Sequence, residues 1–307
     1  MPAATTRSTF PAGLIRDIRA IVGHKYKEFA PEYTNQFTKV PSKMSSERYN
    51  LVGGLGIWPQ KEELADFSLD SLVAGPRTEM VNLEYGLGAI VSQTMLEDQQ
   101  YPEILNMMAM LARSGRETIE LSAVQVYVNG FTDTGADGQA LFSNSHPCYK
   151  ATVQYGTTVF DNLVTSGALS HTTFWDAIDQ AAAFVDDAGN HINVTMGRMV
   201  LIVPQPLERI AADLMFNQNV AGTADNDINT VKKAGHQWSY AVNHYTTDLT
   251  AWYLYFPDVD NGMIFQWRIQ PQFYKDETFG RGHRFEGRMR FIPGYVDQRA
   301  VVGNAGV

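Results

Sequence analysis

The sequence contains a single cysteine, Cys148, among 307 residues. One cysteine cannot form a disulfide bond within the chain, so nothing points to an oxidising compartment. The sequence also lacks a charged start followed by an apolar run, which argues against a secretory signal. No run of about 18 apolar residues is present, so no membrane-spanning segment is predicted. We therefore expect a soluble protein that is made in a cytoplasm and has no membrane partner.

Positive charge is scarce as well. The chain has 24 Lys and Arg against 33 Asp and Glu, a net charge of −9. Such a chain does not bind duplex DNA through a broad basic face. Residues 1–50 nevertheless carry a net charge of +4, which leaves −13 for the remainder. This basic segment, with an apolar helical pattern at residues 14–22, indicates either an arm that docks onto an acidic neighbour or a solvated arm.

Motifs that hold cofactors or metals are few. Residues 53–56 (GGLG) lead into Trp58-Pro59 rather than a helix, so they do not form a phosphate-binding loop. His146 and Cys148 are two possible metal ligands, but a structural zinc site needs four. We predict no catalytic residues, no cofactor-binding residues, no cofactor and no metal ligands.

One short motif resembles a catalytic one. Asp133-Thr134-Gly135 matches the aspartic protease triplet, and residues 197–203 resemble the downstream Gly-Arg segment of the retroviral enzymes. Such an enzyme needs two aspartates that share a proton, and the triplet should follow an apolar strand. The same turn fails as a calcium loop, because Asn144 stands where a bidentate glutamate is required. A turn rich in Asp and Gly accounts better for it, and the protease remains an alternative.

The strongest helical pattern covers residues 97–129. Pro102 is acceptable in the first turn, and about 30 residues at 1.5 Å each would form a rod of roughly 45 Å. We expect a bend at Gly115 and an end at Gly130. The apolar residues recur on one face: Ile104, Met108, Leu111, Ile119, Val124 and Val128.

Residues 46–95 alternate between apolar and polar types at Phe67, Leu69, Val81, Leu83 and Tyr85. This alternation predicts a long β-hairpin with a turn at Gly75-Pro76. A two-stranded hairpin has little core of its own, so it would need support from a neighbour.

The remaining elements mix helices and strands, which indicates an α+β fold. Residues 131–170 predict an irregular but ordered stretch, because Leu141, Phe142, Val159 and Phe160 are apolar. A helix is predicted at 172–187, with Thr173 and Asp176 as a capping box and Gly189 at its end. The other predicted elements are a strand at 199–203, a helix opened by Pro206, a surface loop at 217–235 and strands at 249–256, 262–269 and 283–292.

Residues 137–147 (DGQALFSNSHP) resemble a characteristic stretch of the Mu-like major head subunits of tailed double-stranded DNA bacteriophages. Its Asp-Gly, Leu-Phe and His-Pro pairs stand in the order found in that family. Residues 201–216 are similar to the family's strand, Pro-x-Pro break and helix. Residues 250–256 and the tail 284–306, with its DQRA turn, also fit.

The resemblance implies the tailed-phage major capsid fold and a division of the chain. The expected parts are an N-terminal arm (1–45), an extended β-hairpin loop (46–95), a peripheral domain with a long spine helix (96–160), an axial domain (161–280) and a return to the peripheral domain (281–307).

It also implies a major capsid protein that self-assembles into hexamers and pentamers. These would form an icosahedral head shell around phage double-stranded DNA, without sequence-specific binding. Expected partners are further copies, a scaffolding protein, a portal and a decoration or cement protein. The expected location is the virion, after assembly in the host bacterial cytoplasm, with a separate scaffold and no large cleavage. The alternative on the same fold is the shell of a non-viral nanocompartment.

Overall fold

The computed structural model describes residues 30–72, 74–92, 94–95, 98, 101–149, 158–165, 167–220, 228–278 and 282–306. The helix predicted at 14–22 lies outside these residues. The described part mixes helices and strands, so the predicted α+β class is confirmed. Its helices are α1 (Tyr101–Val128), α2 (His171–Ala182), α3 (Glu208–Phe216) and α4 (Thr230–Lys233). Its strands are β1 (Thr38–Pro41), β2 (Ser46–Val52), β3 (Ala74–Val81), β4 (Leu83–Ser92), β5 (His146–Pro147), β6 (Val159–Phe160), β7 (Arg198–Pro204), β8 (Gln237–Asn243), β9 (Trp252–Tyr255), β10 (Met263–Thr278), β11 (Gly282–Tyr295) and β12 (Val301–Asn304).

Two four-stranded sheets organise the described residues. The first, called the long sheet, has the order β1-β10-β11-β4, with β1 parallel to β10 and the other neighbours antiparallel. The second, called the short sheet, has the order β12-β9-β7-β8. β2 and β3 form a separate hairpin, and β5 pairs with β6.

Helix α1 packs along one face of the long sheet, as its apolar stripe predicts. Its first half buries Ile104 and Met108 against Val91 and Phe285. Its second half buries Ile119, Ala123 and Tyr127 in an aromatic core with Phe265 and Phe291. Each fully buried apolar side chain of this size contributes about 1.5–3 kcal/mol. The helix runs without interruption through Gly115 and ends at Val128, so the predicted long helix is confirmed.

The short sheet is buried on both faces, which explains the continuous apolar runs of its strands. One face packs against α2 and α3 through Leu201 and Leu254, and the other joins the aromatic core through Tyr253 and Tyr255. The strand predicted at 249–256 begins only at Trp252. The Asp248 side chain accepts the backbone N–H groups of Thr250 and Ala251 and so holds the preceding residues in a turn.

The predicted second helix exists, but its ends differ from the prediction. Ser170 is the N-cap: its hydroxyl accepts the Thr173 N–H, and the Thr173 hydroxyl accepts the Ser170 N–H. The capping box therefore lies one turn earlier than predicted. The helix ends at Ala182, and Gly189, with φ of +80°, serves the turn between Asp186 and Asn190 instead.

The hairpin prediction was wrong in its pairing. Its strands are β2 and β3, and Gly75-Pro76 lies inside β3. Phe67 and Leu69 lie in the connection between them, where the structure has no strand among the described residues. Residues 83–92 form β4, which leaves the hairpin and pairs with β11, and its Ala89 and Val91 side chains pack in the core beside Ile104 and Met108 of α1.

Two other segments can be compared with their predictions. In the stretch predicted to be ordered, Leu141, Phe142 and Phe160 are buried, whereas Val159 is exposed. The segment 217–235, predicted to be a surface loop, contains α4.

Candidate assembly surfaces

The turn that carries the Asp-Gly and His-Pro pairs is closed by a buried contact between a carboxylate and an imidazole. Oδ2 of Asp137 lies 2.6 Å from Nδ1 of His146, and both side chains are almost fully buried. Nε2 of His146 lies 3.2 Å from the Leu141 carbonyl oxygen and 3.2 Å from Oδ1 of Asn162. Both ring nitrogens therefore lie within hydrogen-bond distance of oxygen atoms.

A buried ion pair lies beside this contact. Arg299 donates to Asp187 at 2.7 Å and to the Val185 carbonyl at 2.8 Å. The Phe160 ring stacks on His146 at 4.8 Å, and the Arg299 guanidinium lies 4.4 Å from the same ring. We call these residues, together with Asp137 and Asn162, the clasp.

The clasp connects distant parts of the chain. The Asn162 amide donates to the carbonyls of Leu141, Gln298 and Val301. It thereby ties the irregular stretch to the DQRA turn and to β12. The clasp is a structural element, and sequence reasoning identified its motifs without identifying the contacts between them.

The Asp133-Thr134-Gly135 triplet does not have the context of an aspartic protease. It follows α1 and a single 3-10 turn, Asn129–Phe131, where that enzyme has an apolar strand. The Gly135 N–H donates to the Gln139 carbonyl, so the triplet forms part of a tight turn. Among the described residues, no group of three or more His, Cys, Asp and Glu side chains is arranged to hold a metal ion.

The hairpin stem, formed by β2 and β3, is supported by its own chain. Met80 is buried against Ile264 and Val296. The Tyr49 hydroxyl donates to Oε1 of Gln266 at 2.9 Å, and Nε2 of Gln266 donates to Oδ1 of Asn82 at 2.9 Å. The expectation that the whole hairpin lacks support is therefore wrong for its stem.

The connection between β2 and β3, residues 53–72, exposes a concentration of large apolar side chains. We call it the hairpin loop. Soluble monomers rarely leave such a group in water, which indicates a surface that a partner buries. Two contacts hold the base of the loop: Asp70 accepts the Gly56 N–H at 2.7 Å, and Asn190 donates to the Leu55 carbonyl at 3.0 Å. The exposed apolar residues are Leu55, Ile57, Trp58, Leu64, Phe67, Leu69 and Leu72.

The last part of the N-terminal segment is fixed to α1 by a buried carboxylate. Glu120 is 3% exposed, and its two oxygens accept the backbone N–H groups of Glu32 and Tyr33 at 3.0 and 2.9 Å. Burial is the main cause that raises the pKa of Glu120 to about 7. The Glu32 carboxylate in turn accepts from His244 at 2.7 Å, which brings the chain between β8 and β9 to the same place.

A family model described as phage capsid protein matches residues 81–304. The chain belongs to the phage capsid protein family. The matched range contains α1, both sheets from β4 onward and the clasp, whereas the hairpin loop precedes it. This capsid protein is therefore a structural component of a phage head shell.

Solved structures with the same fold are distant in sequence. The mature capsid of bacteriophage PhiM1 has a TM-score of 0.58 at 9% identity, over 91% of this chain and 88% of that one. The procapsid of bacteriophage JBD30 has a TM-score of 0.53 at 16% identity, over 97% and 75%. A virus-like particle from Pyrococcus furiosus has a TM-score of 0.54 at 9% identity, over 94% and 98%. No curated protein sequence matches this capsid protein.

The tailed-phage capsid fold expected from the resemblance is thus confirmed. The narrower Mu-like assignment stays a prediction. Among the described residues, no helix combines the length and the apolar character needed to cross a membrane.

Proposed function

We propose that this capsid protein is the major head subunit, that it assembles with identical copies into hexamers and pentamers, and that these enclose phage double-stranded DNA. The observation that carries the proposal is the hairpin loop, in a chain of the phage capsid family. Leu64 and Leu69 are 98% and 95% exposed, and Trp58 is 90% exposed. Burying such side chains against a neighbour gains about 25 cal/mol per Å² of apolar surface.

The same proposal extends to partners and location. The subunit works with a scaffolding protein and a portal during assembly in the host bacterial cytoplasm, then resides in the virion with a possible decoration or cement protein. It has no catalytic role. The net charge of −9 suits a container in which DNA is held by confinement rather than by attraction to the wall. Tight, salt-sensitive binding of free subunits to duplex DNA would contradict this point.

The division into arm, extended loop, peripheral and axial parts belongs to the same proposal. The long sheet with α1 would form the peripheral part, and the short sheet with α2 and α3 the axial part. The hairpin loop would lie over an adjacent subunit. In support, the short sheet forms a core of its own with α2 and α3, while its other face meets α1 and the long sheet in the aromatic core.

Assembly is tested with a variant of the hairpin loop. Replacing Leu64, Phe67 and Leu69 with Ser should leave the urea unfolding midpoint of the free subunit within experimental error, because these side chains are exposed. The variant should fail to form shells, tubes or sheets in negative-stain microscopy, whereas the unmodified chain forms them. A matched control replaces exposed Met110 and Met196 with Ser and should still assemble. Normal assembly of the loop variant would refute the proposal.

A nanocompartment shell is the second candidate, favoured by the likeness to the virus-like particle over 98% of that chain. The contents of particles purified from the natural source separate the two. Double-stranded DNA supports the phage head, and a single packaged protein supports the compartment.

A further inference from the structure

The apolar stripe with which α1 packs on the long sheet is interrupted near its middle. Ile104 and Met108 are buried against the sheet in the first half of the helix, and Ile119 is buried in the second half. Helical spacing from Met108 places a further sheet-facing position at Gly115, one turn before Ile119. A methyl group added at Gly115 would meet no atom within 4 Å. The helix therefore passes over a gap at this position.

The sheet also has a glycine at this level. Along β11, Phe285 and Met289 lie in cores with α1, so Gly287 between them faces the helix as well. Its partner across the ladder is Leu87 on β4, which is 57% exposed. Two core-facing positions, Gly115 on the helix and Gly287 on the sheet, thus carry no side chain.

The gap between these glycines is a cavity of about 310 Å³. The Phe273 ring lies over Gly287, 3.0 Å from the position of an added methyl group. The exposed side chain of Leu87 marks the opening of the cavity to solvent. The apolar residues that line the cavity are Tyr85, Leu87, Leu111, Pro271, Phe273 and Met289.

The polar groups of the lining are already paired. The Arg288 guanidinium lies 2.7 Å from the Glu84 carboxylate and is directed to the exposed side of the sheet. The Thr118 hydroxyl donates to the Ser114 carbonyl oxygen at 2.9 Å. An ionised ligand would lose its hydration here without gaining a free counter-charge, so the cavity favours a neutral molecule.

The size and the walls of the cavity indicate an aromatic ligand. An apolar cavity of about 150 Å³ stays dry and takes up benzene. The cavity beneath α1 is about twice as large and therefore has room for two fused rings. The rings of Tyr85 and Phe273 and the thioether of Met289 are favourable contacts for such a molecule.

We propose that the cavity between Gly115 and Gly287 binds one neutral molecule of two fused aromatic rings. The bound molecule fills the interruption in the apolar stripe and joins the two cores beneath α1. Because it binds the folded chain and not the unfolded chain, it raises the resistance of the subunit to unfolding. This inference does not depend on contacts between copies.

Indole is the probe for the test. Calorimetric titration of the free, full-length subunit should show saturable binding of one indole molecule. Gly115→Leu should weaken this binding at least about tenfold, because its side chain occupies the same space. The matched control Met110→Leu places a leucine on the solvent side of α1, where Met110 is 70% exposed, and should bind indole as the unmodified chain does.

Urea unfolding verifies that each variant is folded. Gly115→Leu should unfold at a urea concentration no lower than the unmodified chain, so that its loss of binding reports the filled cavity. Should Gly115→Leu not fold, Gly115→Ala decides the matter. It adds one methyl group to the same space and should bind indole more weakly than Met110→Leu.

Methionine methyl resonances give an independent readout of the location. On titration with indole, the Met289 resonance, assigned with a Met289→Leu variant, should shift. The resonance of exposed Met110 should not shift. Indoleacetate, a charged analogue, should bind at least about tenfold more weakly than indole.

Three results would overturn the inference. The first is binding of indole that does not saturate, and the second is equal binding by Gly115→Leu and the unmodified chain. The third concerns the competing occupant, a side chain of another copy. If assembled particles exclude the indole that free subunits bind, that side chain fills the cavity, whereas equal binding by particles and free subunits supports the inference.

Discussion

Replacing Glu120 with Gln should remove a pH dependence of subunit stability that the buried carboxylate creates. Burial raises the pKa of Glu120 from the ordinary 4.5 to about 7. The folded chain therefore holds this proton more tightly than the unfolded chain does. The resulting stability is fully present below pH 4.5 and is lost as the pH rises through about 7. At roughly 1.4 kcal/mol per pKa unit, the loss is at most about 3.5 kcal/mol.

The groups around Glu120 shape the effect but do not change its sign. The Glu32 carboxylate, bonded to His244, raises the pKa of Glu120 further, and Arg116 on the same helix lowers it. Tyr245 lies in the same cluster. All of these groups remain in the variant, so their own titrations cancel when the two proteins are compared.

At pH 5 the folded Glu120 is protonated, so its carboxyl and the Gln amide each offer one carbonyl oxygen to the N–H groups of Glu32 and Tyr33. E120Q should therefore have nearly the stability of the unmodified chain at pH 5. At pH 8 the unmodified chain carries the buried charge and has lost this stability, so E120Q should then be the more stable of the two.

Urea unfolding of free subunits, followed by tryptophan fluorescence at pH 5, 6, 7 and 8, measures this difference. The control E103Q changes an exposed glutamate on the same helix and should keep the pH dependence of the unmodified chain. An E120Q variant with the same pH dependence as the unmodified chain would show that the reasoning is wrong.

Two further predictions compare matched sites. Gly115→Ala should raise the free energy of unfolding by about 1 kcal/mol, because the added methyl group meets no atom within 4 Å. Gly130→Ala should lower it, because the added methyl group would lie 2.8 Å from the Phe142 ring. Thermal unfolding of both variants measures these changes, and a destabilised Gly115→Ala variant would contradict the expectation. Asp187→Asn should cost about 3 kcal/mol because it weakens a buried ion pair, and Asp258→Asn should cost less than about 1 kcal/mol because its pair with Arg198 is exposed. If the two variants have equal urea unfolding midpoints, the buried ion pair of the clasp does not stabilise the fold more than the exposed pair does.

The sequence predicted best the elements with a clear apolar pattern. Helix α1 has apolar residues at a helical period and strand β7 has a continuous apolar run, and both formed close to their predicted bounds. Alternation predicted strands correctly at residues 83–92 but could not identify their partner, because β11 lies far along the chain. Phe67 and Leu69 alternate as strand residues do, yet they lie in an exposed loop.

Sequence reasoning missed the buried charges. Glu120 lies between Ile119 and Ala123 on the apolar stripe of α1, and a charged residue within such a stripe was the signal that could have identified it. Asp137 and His146 were noticed as motif residues, but their contact depends on a turn that brings positions nine residues apart together. Pairings of this kind arise from tertiary structure and leave no periodic pattern.

The parallel pairing of β1 with β10 has a consequence for how the polypeptide reaches this state. Thr38 pairs with Ile264, so a strand near the start of the chain finds its place only after most of the chain has been synthesised. Contacts between such distant residues make folding slow. Until β1 and β10 have paired, the apolar side chains of the hairpin loop are already exposed to water, so incompletely folded chains can associate incorrectly. Substitutions that weaken β10 should therefore reduce the yield of soluble protein at elevated growth temperature more than they reduce the stability of chains already folded.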